Sequence, residues 1–106
     1  MARAIVQVPA QAKRGEIIEI KTLIGHTMET GFRHNDRGEL IPRDIIRLFV
    51  CTYNGVEVFR AELHPAVSAN PLLIFPTVAT ESGTLEFRWT GDNGFSAVRS
   101  AKVEVS

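Results

Sequence analysis

The stretch that decides the fold is RDIIRLFVCTYNGVEVFRAEL, residues Arg43–Leu63. Two runs rich in β-branched and aromatic residues flank Asn54-Gly55. A two-residue hairpin turn of the I′ type needs positive φ at both central positions, which Asn and Gly adopt most readily, so the pair predicts a tight β-hairpin. In the second arm Phe59, Ala61 and Leu63 fall on one side and Arg60 and Glu62 on the other, the period-two alternation of a half-buried strand. The first arm is doubly apolar. Ile46, Leu48 and Val50 form one row; Ile45, Phe49, Cys51 and Tyr53 form a second, interrupted by Arg47. If the first row fills the interior, the second lies on an outer face. There it is covered either by a folded-over loop or by a protein partner, since aromatic residues with a nearby Arg favour interface centres.

Working outward, the same alternation recurs with turn residues between. RAIVQV is closed by Pro9. EIIEIKTLI follows a Lys13-Arg14-Gly15 turn, with Ile18, Ile20 and Ile24 on one face and Glu19 and Lys21 on the other. PLLIFPTVA begins after Asn70. Pro76 within it cannot donate to a ladder, so this strand is expected at a sheet edge or at a bulge. TLEFRWT alternates Leu85, Phe87 and Trp89 with Glu86 and Arg88, and Trp89 is expected in the core. FSAVRSAKVEV closes the chain with Ala101, Val103 and Val105 on one face. About seven strands in this length predict an all-β, immunoglobulin-like sandwich. The expectation is one such domain over residues 1–106.

One segment does not fit this economy. Gly25–Asp44, GHTMETGFRHNDRGELIPRD, is polar and of mixed charge. Connections within compact domains are typically about 4–6 residues, and loops beyond roughly 12–15 tend to be functional or disordered.

Composition narrows the function classes. The chain has 106 residues, 44% hydrophobic and 23% charged, with a formal net charge of zero. Zero net charge argues against a nucleic-acid binder, which carries a basic patch to neutralise phosphates, and against a polybasic membrane-surface protein. No apolar run approaches the roughly 20 residues of a membrane-spanning helix. The opening MARAIVQVPAQAKRG has an apolar run broken by Gln7 and ended at Val8. Secretory signals need roughly 7–15 apolar residues and a small-residue cleavage site, so no export signal is expected here.

Constellations for catalysis are sparse. No Gly-rich phosphate loop, CxxC pair or HExxH occurs. His26 and His34 share the long loop with Glu29 and Asp36, but zinc ligands usually come in tighter pairs, and solvated loop histidines are the plainer reading. In GDNG, Asp92 and Asn93 hint at calcium without the EF-hand spacing or its closing Glu, so a turn stabilised by its own side chains is expected. Cys51 is the single cysteine. It sits mid-strand with nothing local to lower its pKa, which reads as a small buried hydrophobe. The residues therefore favour a binding or assembly module, with no catalytic, metal or cofactor residues expected.

The blocks HTMETGFRHNDRGELIPRDII, F.C.YNGVEVFRAEL, SANPLLIF, SGTLEFRW and DNG, in that order from about Ile18 to the C-terminus, resemble the SoxZ family. That resemblance implies an immunoglobulin-like sandwich that pairs with a second sandwich subunit, SoxY. The SoxY subunit's flexible Gly-Gly-Cys-Gly-Gly arm holds sulfur intermediates covalently and presents them to the enzymes of thiosulfate oxidation. This sequence has no such arm, and Cys51, fixed in a strand, is not expected to play the carrier's part, since such a role needs a flexible tether. The resemblance further implies a periplasmic location, reached by co-export with the signal-bearing partner.

On this reading Gly25–Asp44 is a recognition element, either clasping the carrier subunit or forming part of the surface the pathway enzymes read. Glu29, Arg33, Asp36, Arg37 and Arg43 supply mixed charge suited to specificity and orientation. Ile45, Arg47, Phe49 and Tyr53 complete the candidate partner interface. The plainer alternative is that the charged residues pair among themselves and order the loop. Rival functions are a generic accessory or adhesion sandwich acting as a homodimer, a small metal enzyme using His26 and His34, and a self-associating sandwich that, when isolated, forms a homodimer through the surface meant for its partner. Asn70-Pro71 is expected to set a turn.

Overall fold

The computed structural model describes residues 3–106. Eight strands run in chain order: β1 (Ala4–Gln7), β2 (Gln11–Ala12), β3 (Ile17–Ile24), β4 (Ile46–Tyr53), β5 (Val56–Glu62), β6 (Leu72–Val78), β7 (Gly83–Gly91) and β8 (Ser96–Val105). They form two sheets, β1-β3-β6 and β2-β8-β7-β4-β5. The architecture is an all-β, immunoglobulin-like sandwich, as the alternation predicts. All pairings are antiparallel except that of β2 with β8. The β4–β5 hairpin turns on Asn54 (φ 49°) and Gly55 (φ 83°), the positive angles its sequence requires. Asn54 Oδ1 also accepts the Thr84 N–H at 2.9 Å, tying the turn to the neighbouring strand. Pro76 lies in β6, an edge strand, where its missing N–H costs least.

The core collects the inward rows of both sheets. Phe49 lies at its centre, opposite Trp89 in the β4–β7 register and in ring contact with Phe59, Phe75, Phe87 and Trp89. Phe59 and Phe75 stack at 4.1 Å and join the two sheets. Trp89 is fully buried, as expected.

One face assignment is reversed. Phe49, Cys51 and Tyr53 point into the sandwich, and Leu48 and Val50 lie half-buried on the outer face. The cause is a register shift against β7: Ile46 pairs with Gly91 but Leu48 with Thr90, so Arg47 is an extra residue. A bulge of one residue flips every side chain beyond it. Ile45 and Ile46, just before it, are both buried.

The molecule is elongated. Its Cα radius of gyration is 16.2 Å, with extents of 60 × 20 × 19 Å. A compact chain of this length has a radius near about 13 Å. In the segment between β3 and β4, every residue from Phe32 to Leu40 is exposed.

Candidate partner interface

The long segment is an irregular two-limbed arm held by its own backbone. Glu29 and Asp44 exchange two N–H···O bonds of 2.8 Å at its root. Farther out Ile41 N–H donates to the Arg33 carbonyl at 2.8 Å, and His34 bridges Leu40. The tip is a turn built on Asn35. Its carbonyl accepts the Gly38 N–H, and its Oδ1 accepts the N–H groups of Arg37 and Glu39 at 2.9 and 3.0 Å. Short polar side chains hold turns in this way, which lets the arm keep a shape without a core of its own.

The root is fastened to the sandwich by residues far apart in sequence. His26 exchanges bonds with Asn70: its N–H donates to Asn70 Oδ1 at 3.0 Å, and its carbonyl accepts the Asn70 N–H at 2.8 Å. The His26 ring is buried edge-on against Phe95, and its Nδ1 accepts the Met28 N–H at 2.9 Å. It is therefore not a solvated loop histidine, whereas His34 is exposed. Met28, buried at positive φ (53°), plugs the root. Asp92 makes the second fastening. Its carboxylate takes a two-pronged bond from Arg43, 2.9 and 3.0 Å, and the Ile45 N–H at 3.2 Å. The Arg43 guanidinium and the Ile45 N–H hold the Asp92 carboxyl below its ordinary range. The expected turn at GDNG is present as a short 3-10 helix, but the Asp92 side chain reaches across to the arm rather than bonding within its own turn.

The candidate interface residues separate into three groups. Glu29 and Arg33 pair with each other on the arm, and Arg33 holds the Glu29 carboxyl below its usual value. Asp36 and Arg37 stand open at the tip. Arg43 and Arg47 meet at the root, lining with Arg60, Leu48 and His64 an open groove of about 480 Å³ on the outer face of the larger sheet. Phe49 and Tyr53 belong to none of these, and Ile45 backs the floor of the groove. All three are interior residues rather than contact residues: the bulge at Arg47 turns Phe49 and Tyr53 inward, where the Tyr53 hydroxyl donates to the Glu81 carbonyl, and Ile45, before the bulge, is buried where its N–H meets the Asp92 carboxylate. Sequence reading missed Asp92, Met28 and Asn70 as fasteners. It also passed over Phe32 and Leu40, apolar side chains left 78% and 57% exposed on a polar arm.

Among the described residues no three His, Cys, Asp or Glu side chains come together in a way that could hold a metal ion. Cys51 is fully buried, and burial pushes its thiol up to about 12.

Among solved structures, a variant of superoxide reductase (neelaredoxin) from Ignicoccus hospitalis is similar with a TM-score of 0.77 at 16% identity, covering 97% of this chain and 79% of that one. The sulfur carrier protein SoxY from Chlorobium limicola f thiosulfatophilum is similar with a TM-score of 0.67 at 10% identity, covering 97% and 78%. At such identities the likeness speaks for the fold alone. A comparison with curated proteins returned no match. The family model described as sulphur oxidation protein SoxZ matches residues 6–102, nearly the whole chain. The chain thus belongs to the SoxZ family of sulphur oxidation proteins.

Proposed function

We propose that this chain is the non-catalytic half of the carrier: it pairs with a SoxY-type subunit, whose terminal cysteine bears the sulfur intermediates, and presents that subunit to the pathway enzymes. The observation that supports this division is Cys51. The chain's only thiol is sealed in the core, and a thiol must be a thiolate within reach of its reaction partner to exchange sulfur. A covalent intermediate has to ride on another chain. The arm Gly25–Asp44 supplies the recognition: it is fastened at the root by Asn70 and Asp92 and leaves Phe32, Asp36, Arg37 and Leu40 open. Open mixed charge around exposed apolar side chains suits orientation of a transient partner. The pair works in the periplasm, with this chain crossing as the folded passenger of its exported partner.

Reconstituted thiosulfate oxidation tests this reading. Turnover should require this chain alongside the SoxY-type subunit. Arg37→Glu with Phe32→Ser should raise the carrier's KM toward at least one pathway enzyme by tenfold or more, with the pair still formed. Full turnover without this chain would sink the assignment. For location, the tagged chain should appear in the periplasmic fraction only when the partner's export signal is intact.

A further inference from the structure

The two sheets differ in what they show to water. On the outer face of the larger sheet, the apolar residues of β4 and β8 stand singly among charges: Val50 pairs across with Arg60 and Arg88, Leu48 with Glu62 and Thr90, and Val98 with Arg88, while Val56 and Val58 are exposed only at the edge strand β5. Long polar stems cover such residues. The outer face of β1-β3-β6 is built otherwise. Ile5, Leu23 and Leu72 form an unbroken apolar row across all three strands. Every outward residue of β6 is apolar, Leu72, Ile74, Pro76 and Val78, and Ile17 faces Val78 at the far end. Within the three strands only Gln7, Glu19 and Lys21 interrupt, and Glu19 and Lys21 neutralise each other at 3.7 Å.

An antiparallel sheet left facing water alternates apolar inside with polar outside. This one is apolar on both faces. Ile5, Ile17, Leu23, Leu72, Ile74 and Val78 are 38–71% exposed. Together they present on the order of 500 Å² of apolar surface, near the upper limit for an ordinary monomer; with their polar neighbours the face approaches the roughly 800 Å² each partner gives to a stable interface.

We propose that this face is where the body of the SoxY-type subunit packs, sheet against sheet, leaving the arm and its groove free for the pathway enzymes. The inference rests on the pairing reading above. Three features favour this occupant. The area approaches what a stable pair needs. The face carries almost no net charge, so it fits another apolar sheet rather than a charged partner. And SoxY has the same two-sheet fold, so two such sandwiches can meet about a quasi-two-fold axis through corresponding faces. Pro76 in β6 weakens that edge as a template for strand addition, which leaves the face as the contact.

The test uses the co-expressed pair. Leu72→Lys and Ile74→Lys replace exposed residues, so the chain should keep its circular dichroism and urea midpoint. Each should weaken binding to the SoxY-type subunit at least a hundredfold. Val98→Lys, equally exposed on the other sheet, should change it less than threefold. In the unmodified pair, amides of β6 and β1 should gain hydrogen-exchange protection on complex formation. If both face variants bind within threefold of the parent, the face is wrong while the pairing stands. If they abolish only self-association of this chain, the occupant is a second copy and the proposal is overturned. If the unmodified chain does not bind the SoxY-type subunit at all, the pairing reading fails first.

Discussion

Cys51 offers a quantitative test of the division of labour. Its ordinary value is 9.0, and burial raises it to about 12. At pH 8 a thiol of pKa 9 is roughly one-tenth thiolate and one of pKa 12 about one part in ten thousand, a thousandfold difference from ionisation alone, or about 4 kcal/mol. Burial in the sandwich adds steric exclusion, so labelling proceeds through opening of the fold. A disulfide reagent such as dithionitrobenzoate at pH 8 should modify the guanidinium-denatured chain at the rate of a free thiol. The native chain should react at least a thousandfold more slowly. The sign of the pH effect follows. Above pH 9 the unfolded thiol releases its proton while the folded one keeps it, so folding stability falls by about 1.4 kcal/mol per pH unit between 9 and 12. The stability advantage of the parent over Cys51→Ala should shrink by that slope, read from urea unfolding at pH 8, 9.5 and 10.5. Native labelling within tenfold of the denatured rate would refute the sealed-thiol argument and return Cys51 to consideration as a sulfur carrier.

Phe49→Ala removes the ring that touches four other aromatic side chains and should destabilise the fold by about 3–5 kcal/mol in urea titration. Gly91→Ala should lower the urea midpoint sharply, because its new methyl would collide with the Ile45 carbonyl and lie 2.8 Å from Ile46 Cα, both of them backbone. Asp92→Asn should loosen the arm root, seen as faster amide exchange at Ile45. Because Arg43 holds the Asp92 carboxyl below 3.8, the parent's advantage over this variant is present above that pH and disappears as pH falls through the lowered value, which acid-unfolding curves would show.

The strands were legible because period-two alternation is local, and so was the hairpin, since Asn54-Gly55 carries its own backbone preference. The face of β4 was not. Both of its rows are apolar, and only the pairing with β7 reveals that Arg47 is the extra residue that flips them. The two-residue strand β2 is too short to have a period, and it exists through its parallel partner β8. The arm was legible as an anomaly of length and charge, but its fasteners lie at distant positions, Asn70 against His26 and Asp92 against Arg43. The open face of the smaller sheet was written into PLLIFPTVA, a run with no polar residue on its outward row. That signal is ambiguous until the sheet is seen to have none of the described residues stacked on it.

On the proposed function, sulfur rides on the partner while this chain holds and presents it. Intact-mass analysis of the tagged chain, isolated with its partner from cells oxidising thiosulfate, decides this. The expected result is a second, SoxY-type subunit whose terminal cysteine alone carries sulfur adducts, with this chain at its unmodified mass. An adduct on Cys51, or the chain recovered without such a partner, would contradict it.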